Sequence, residues 1–152
     1  AAQAAKAFQK LLTTTDPEQL RSDARRARRA LLAFQRGALS DAKRLAERLP
    51  TTDSRRYLLL ALITSESDER FKNLRYASRL GSPSACYYLG IALLIGEYLP
   101  CDTPLAISYL TCAAKACYLP AIHLLQSLRT GETIREDSPT TRIAYLMKEI
   151  SA

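Results

Sequence analysis

Hydrophobic residues recur at the spacing of one helix face along almost the whole chain. Between residues 17 and 36, the apolar positions are Leu20, Ala24, Ala27, Leu31 and Phe34. A spacing of three and four residues places such side chains on one side of an α-helix. No segment shows the alternation of β-branched residues that a strand requires. The pattern therefore predicts an all-α protein.

Capping residues divide this pattern into about nine helices. Asp16, Asp53, Asp102 and Asp137 stand at starts, and glycines 37, 81, 96 and 131 stand at ends. For two further helices the sequence offers Ser40 with Asp41, and Ser67 or Asp68, as starts. The predicted helices are 2–12, 17–36, 40–49, 54–65, 69–80, 84–95, 105–116, 119–130 and 140–150. Their short connections predict antiparallel neighbours.

One loop sequence occurs twice. "GEYLPCDTP" begins at Gly96, and "GETIREDSP" begins at Gly131, 35 residues later. The preceding segments "YASRLGSPSA" and "CAAKACYLPA" are also related, with Ala85 and Ala121 offset by 36 residues. A helix pair that recurs in register is the signature of a helical solenoid, in which neighbouring pairs bury each other's apolar faces. The loop is then the turn between the two helices of one repeat.

The segment "ACYYLGIALLIGEYLPCDTPLAISYLTCAAKACYLPA" resembles the Sel-one-like repeat, a relative of the tetratricopeptide repeat. The positions that carry the resemblance are Ala85, Leu89, Gly90, Gly96, Asp102, Ala106, Tyr109, Ala113 and Ala114. The match covers residues 76–131 and continues in part to 150. Cys117 stands where the family prefers Gly, Gln126 replaces the Gly of the second copy, and Ser108 replaces an aromatic residue. The resemblance implies a right-handed α-solenoid of antiparallel helix pairs that binds proteins through its concave face.

The length of 152 residues fits one domain, so we expect a single α-solenoid over residues 1–152. Residues 76–152 would form the Sel-one-like repeats. Residues 1–75 keep the rhythm of helix pairs with shorter turns, and "AFQRGALSDAKRLAERLP" resembles a plain tetratricopeptide helix pair.

The positive charge is concentrated in the first part of the chain. Residues 1–60 hold 13 Lys and Arg against 6 Asp and Glu, which is the whole formal charge of +7, whereas residues 61–152 hold 9 of each. Five arginines lie opposite the apolar face of the helix over 17–36: Arg21, Arg25, Arg28, Arg29 and Arg36. Arginine suits contacts to carboxylates and phosphates. The stripe indicates an acidic protein surface, nucleic acid or anionic lipid as partner, or a solvated face that keeps the protein soluble.

Aromatic residues on a first helix of the repeat are candidate anchors for a partner. Tyr87, Tyr88 and Ile91 lie in "YYLGIALLI", and large side chains on a groove are typical binding anchors. His123 corresponds to Tyr87 by the 36-residue offset. We assign Arg56 and Tyr57 of an earlier helix to the same partner-binding set. The alternative is that one tyrosine packs inward and that His123 is an ordinary half-buried helix residue.

The sequence offers no catalytic set. His123 is the only histidine, no Ser or Cys motif accompanies it, and neither a Gly-rich phosphate loop nor an "HExxH" motif occurs. The spacings of Cys86, Cys101, Cys112 and Cys117 fit no standard zinc framework. We therefore expect no enzyme, no cofactor, no metal and no small-molecule substrate.

The cysteines leave the compartment open. Some secreted members of the resembled family join the helices of a repeat by a disulfide, and Cys86 occupies the first of the two positions. Cys112 or Cys117 would be its partner, and buried free thiols are the alternative. The longest apolar run, Tyr57 to Ile63, is far below the roughly 18 residues that span a bilayer. Without an initiator Met or a signal-peptide pattern we expect a processed form, in a bacterial cytoplasm or periplasm.

The function we expect is that of a non-catalytic interaction module. Such a scaffold, adaptor or immunity-type inhibitor would grip a protein partner in its concave groove, in a bacterial envelope, secretion or signalling process. The excess of 16 Arg over 6 Lys fits a GC-rich bacterial genome. The alternative is a binder of nucleic acid or anionic lipid that acts through the basic N-terminal helices.

Overall fold

The computed structural model describes residues 3–5, 16–131 and 139–152. Residues 3–5 are helical, and the other described residues form helices joined by loops, with no strand among them. The helices are α1 (Pro17–Gln35), α2 (Leu39–Glu47), α3 (Ser54–Ile63), α4 (Ser67–Arg79), α5 (Pro83–Ile95), α6 (Thr103–Lys115), α7 (Leu119–Thr130) and α8 (Pro139–Ser151). The all-α prediction is confirmed. Most of the predicted helix 2–12, and the second loop copy after Gly131 with Asp137, lie outside the described residues.

The predicted helix starts are confirmed where an aspartate supplies the cap. Asp16, Asp53 and Asp102 each accept a hydrogen bond from a backbone N–H two or three residues further on, at 3.0–3.1 Å. The predicted start of α4 at Ser67 is confirmed, whereas α2 begins at Leu39 and not at Ser40 or Asp41. The residues before these two helices make no capping hydrogen bond through a side chain.

Three of the helix-to-helix links share one backbone conformation. Gly37, Gly81 and Cys117 all have positive φ, at 84°, 93° and 60°. In each link the N–H of the next residue donates to the carbonyl five residues before it, at 2.9–3.1 Å. A side chain in the left-handed region costs on the order of 1 kcal/mol, so Cys117 is strained in a conformation that Gly37 and Gly81 adopt freely.

Packing follows the order of the chain from α1 to α7. Each of these helices contacts the next one, and α1 also contacts α3. The last helix departs from this order, because α8 packs mainly against α1, α3 and α5 rather than against α7. We call the surface that α1, α3 and α5 present to α8 the odd-helix face.

Two hydrophobic clusters fill the interior of the described part of the chain. The larger one joins Leu31 of α1, Leu58 of α3 and Leu89 of α5 with Leu146 and Ile150 of α8. The smaller one connects α5, α6 and α7. Ala85 and Ala121 are fully buried at the third position of α5 and of α7, which agrees with their predicted equivalence. The apolar stripe of α8 is therefore part of the main core.

Helices α5 and α6 approach closely at Gly90. A Cβ atom at this position would lie 2.7 Å from Cγ of Leu110 and 3.3 Å from the carbonyl oxygen of Ala106. Only glycine leaves room for such an approach. The equivalent residue of the second copy, Gln126 on α7, is exposed. Helix α8 does not pack on α7 as α6 packs on α5. The second copy therefore has no close helix contact that would require glycine at this position.

Candidate binding face

Among the described helices, α5 is the most deeply buried. Ten consecutive residues, 84–93, are buried, because α4, α6 and α8 surround the helix. A helix that is apolar on all sides is stable only when it is covered on all sides. Tyr87, Tyr88 and Ile91 are only 3, 3 and 6% exposed. These predicted anchors are therefore core residues: Tyr88 belongs to the larger cluster with α8, and Tyr87 and Ile91 belong to the smaller cluster with α6 and α7.

One end of α8 is held by a buried arginine. Nη2 of Arg142 lies 2.5 Å from Oε2 of Glu97, in the loop that follows α5. The guanidinium also stands over the ring of Tyr88, 4.7 Å from its centroid. The Arg142 side chain is 1% exposed and that of Glu97 is 19% exposed. Nε, Nη1 and Nη2 of Arg142 are all buried and make no hydrogen bond with the described residues, so the contact of Nη2 with Glu97 is an ion pair without hydrogen-bond geometry.

The other end of α8 is held by a carboxylate. Glu149 accepts hydrogen bonds from the hydroxyl of Ser82, from the hydroxyl of Ser84 at 2.8 Å and from the backbone N–H of Ser84 at 3.4 Å. Ser82 is the N-cap of α5, and both serines are 1% exposed. A negative charge at the N-terminus of a helix is stabilised by the free N–H groups and by the helix dipole.

These two contacts fix the direction of α8. Glu149 lies at the N-terminal end of α5, and Arg142 lies beside the loop at its C-terminal end. Helix α8 therefore runs antiparallel to α5. The two charged residues are seven positions apart, which is two helical turns or about 10.5 Å. Opposite charges at opposite ends oppose any shift or reversal of the helix.

Three tyrosines connect α8 to the rest of the chain between these two contacts. Tyr145 of α8 packs edge-on against Tyr87 at 5.7 Å and against Tyr118 at 6.2 Å between ring centroids. Tyr87 and Tyr118 are 5.8 Å apart. Burial, with smaller contributions from Glu149 and Tyr145, raises the pKa of Tyr118 well above its usual value. Tyr118 therefore stays neutral near pH 7.

The residues that hold α8 are departures from the internal repeat. The sequence "SYL" at 108–110 of α6 recurs as "AYL" at 144–146 of α8, and this offset of 36 residues pairs Tyr109 with Tyr145 and Leu110 with Leu146. The same offset places Arg142 at the position of Ala106. It also places Glu149 at the position of Ala113. Both alanines are fully buried in the first copy. Two alanines that are buried in the first copy are thus replaced by charged residues in the second. This difference was the sequence signal that α8 does not pack as α6 does.

Sequence reasoning missed the residues that hold α8 in place. These residues are Ser82, Ser84, Glu97, Tyr118, Arg142, Tyr145 and Glu149. None of them had been assigned to a site, because the repeat pattern alone placed the last helix beside α7.

The space beside α7 is not filled by α8. A cavity of about 380 Å³ lies where the start of α7 faces the end of α8, with Tyr118, Leu119, Tyr145 and Ala152 in its lining. Leu119 is 63% exposed. The predicted fourth helix pair, α7 with α8, is therefore not packed like the pair of α5 and α6.

The remaining predicted anchors do not join this face. Arg56 donates from Nη1 to the carbonyl oxygens of Glu47 and Leu49 at 2.5 and 2.9 Å, and so caps the C-terminal end of α2. Tyr57 stacks on Tyr76 with ring centroids 5.2 Å apart. His123 is exposed on α7. The structure gives Arg56 and Tyr57 structural contacts, and it does not bring them together with His123.

The basic stripe predicted on α1 is at the surface. Arg21, Arg25, Arg28, Arg29 and Arg36 are all exposed. Leu32 lies in the same stripe and is 49% exposed. A further arginine of this helix, Arg26, lies 3.6 Å from Asp23. The stripe thus combines strong positive charge with one apolar side chain.

The four cysteines are free thiols. Burial, followed by the charges of Cys112 and Glu149, raises the pKa of Cys86 to about 11, so this thiol stays protonated near pH 7. Over residues 16–131 and 139–152, no three His, Cys, Asp or Glu side chains gather into a group that could hold a metal ion. Among the same residues, no helix has the length and apolar character needed to cross a membrane.

Comparison of the chain with protein-family models, with curated proteins and with solved structures gave no match.

Proposed function

We propose that this chain is a non-catalytic protein-interaction module whose odd-helix face binds an amphipathic helix of a partner in the place of α8. In this proposal the chain is a right-handed α-solenoid, with tetratricopeptide-like pairs over residues 1–75 and Sel-one-like repeats over 76–152. It would act as a scaffold, adaptor or inhibitor in a bacterial envelope, secretion or signalling process.

One observation carries the proposal: the odd-helix face already holds an amphipathic helix. Leu146 and Ile150 of α8 are at most 1% exposed against α1, α3 and α5. Insertion of an amphipathic helix into an apolar groove is a common mode of peptide recognition, with anchors at every third or fourth residue. Burial of α8 on this face supports the proposal that the face accepts an amphipathic helix.

The proposal is tested by weakening α8 within the full chain. In a variant that we call the open chain, Arg142→Ala is combined with Glu149→Ala, which removes both charged contacts of α8. We expect a partner that uses the face to bind the open chain at least tenfold more tightly than the wild type, because it no longer competes with a tethered helix. Proteins from a bacterial lysate captured on the two chains, followed by titration of each captured protein, give this ratio.

The matched control is Lys148→Ala, an exposed change on the same helix. It should leave partner binding at the wild-type level. Equal binding of the partner to wild type, control and open chain would contradict the proposal. Changes at Tyr87 or Tyr88 are unsuitable here, because both side chains belong to the core.

The exposed arginines of α1 support a second candidate function, the binding of nucleic acid or anionic lipid. Salt separates the two candidates. Binding to phosphates falls steeply between low and physiological ionic strength, whereas burial of apolar side chains persists. The second candidate would be supported by a ligand that no longer binds the double variant Arg25→Glu, Arg28→Glu, that no longer binds at physiological ionic strength, and that binds the wild type and the open chain equally.

A further inference from the structure

We propose that the odd-helix face recognises a defined helical motif: Arg, then Tyr-Leu at the third and fourth positions after it, and Glu-Ile at the seventh and eighth. The proposal rests on the proposed function and names the class of partner. That partner is a protein segment that forms an amphipathic helix with this pattern and displaces α8. In α8 the pattern is Arg142, Tyr145, Leu146, Glu149 and Ile150.

The five positions lie on one side of a helix. Arg142, Leu146 and Ile150 are four residues apart and at most 1% exposed. Tyr145 and Glu149 follow the neighbouring row, at the same interval. Side chains at these intervals form one continuous stripe, so all five can contact α5 and its flanking loops together. Ala144 and Lys148 lie between them and are exposed, so the motif does not specify the residues at these two positions.

The two charged positions give the motif its direction and its register. The carboxylate position meets the hydroxyls of Ser82 and Ser84 at the start of α5. The guanidinium position meets Glu97 and the ring of Tyr88 near its end. A helix in the reverse direction would bring its carboxylate to Glu97 and its guanidinium to the helix N-terminus. Both pairings are repulsive, and they exclude helices that match only in their apolar stripe.

The same contacts make α8 replaceable. A buried guanidinium loses its hydration, and one carboxylate with one aromatic ring does not replace it, because Nε and Nη1 have no hydrogen-bond partner among the described residues. Docking of α8 is weakened by this loss. A competing helix that places its own guanidinium here, with one further oxygen acceptor for these donors, gains a contact that Arg142 does not make with the described residues.

Binding of a free α8 peptide tests the motif. The probe is a fluorescent peptide of residues 139–152, titrated against the wild-type chain and against the open chain. In the wild type, the tethered α8 has an effective concentration on the order of millimolar and excludes the probe. We expect the probe to bind the open chain at least tenfold more tightly than the wild type.

Substituted probes test each charged position. Glu149→Ala or Arg142→Ala in the probe should weaken binding to the open chain about tenfold, because each removes a hydrogen bond or ion pair to a charged group. Lys148→Ala in the probe is the matched control and should bind like the original. When Ser84→Ala is added to the open chain, the penalty of the Glu149→Ala probe should shrink, since the hydroxyl that donates at 2.8 Å is gone.

Two results would overturn the proposal. One is a folded open chain that binds the probe no more tightly than the wild type does. The other is a Lys148→Ala probe that loses as much affinity as the Glu149→Ala probe. If the open chain does not unfold cooperatively, amide hydrogen exchange is measured in the wild type instead. Faster exchange of the α8 amides than of the α5 amides would support the displacement of α8. Equal exchange rates in the two helices would refute it. A partner that needs the open face but lacks the motif would refute this inference and leave the proposed function standing.

Discussion

Replacing Glu97 by alanine should destabilise the protein by about 3 kcal/mol, whereas replacing Arg142 by methionine should cost about 1 kcal/mol or less. The first change leaves a guanidinium that is 1% exposed without its carboxylate. The second removes the buried charge, fills most of its volume with an apolar side chain and leaves Glu97 able to regain water, since its side chain is already 19% exposed. Guanidinium chloride unfolding of the two variants measures the difference.

An exposed ion pair of the same chain provides the control. Arg44 and Asp41 lie 2.9 Å apart, but their side chains are 72 and 58% exposed. Asp41→Ala should therefore change the free energy of unfolding by less than about 0.5 kcal/mol. The role given to the contact between Arg142 and Glu97 is wrong if Glu97→Ala destabilises the protein as little as Asp41→Ala does. It is also wrong if Arg142→Met destabilises the protein more than Glu97→Ala does.

Gly90→Val should destabilise the protein by about 3 kcal/mol. The new Cβ would lie 2.7 and 2.8 Å from Cγ and Cδ2 of Leu110, a side chain that is 0% exposed. A branched side chain has few rotamers in a helix and cannot turn away from the contact. Thermal unfolding followed by circular dichroism measures the loss.

The internal repeat supplies a control for this prediction. Gln126 occupies the position of Gly90 in the second copy and is exposed. Gln126→Val should therefore change stability by no more than about 0.5 kcal/mol. A similar loss at both positions would mean that a helix packs on α7 as closely as α6 packs on α5, contrary to the structure.

Local sequence signals predicted the helices and most of their ends. Asp16, Asp53 and Asp102 cap as expected, because a short carboxylate can reach the free N–H groups of the first turn. The basic stripe of α1 was also predictable, since the period of its apolar positions determines which side faces solvent. The caps of α2 and α4 could not be predicted from capping residues, because no side chain of Ala38 or Glu66 caps these helices.

The place of α8 could not be read from its periodicity. Leu146 and Ile150 show that the helix has a buried side, but an apolar stripe fits the surface of α7 as well as the odd-helix face. Three other residues carried the missing information. Arg142 and Glu149 stand where the first copy has alanine, and Gln126 stands where α7 would need glycine to receive a close neighbour.

The apolar composition of α5 was a further signal. In "YYLGIALLI" no side of the helix is polar, although the predicted solenoid would leave its concave side open to solvent. A helix without a polar side needs a cover on every side. Tyr87, Tyr88 and Ile91 were therefore better interpreted as core residues beneath another helix than as exposed anchors.

The position of α8 is tested most directly by the single methionine of the chain, Met147. Its methyl group gives one resonance in a ¹³C-methyl spectrum, which needs no assignment by mutation. The sulfur of Met147 lies 3.8 Å from Nε2 of Gln35 at the end of α1, so nuclear Overhauser effects from this methyl group to the side-chain amide of Gln35 are expected. Effects to Ile122 or Leu125 of α7, with none to Gln35, would place α8 beside α7 and contradict the account.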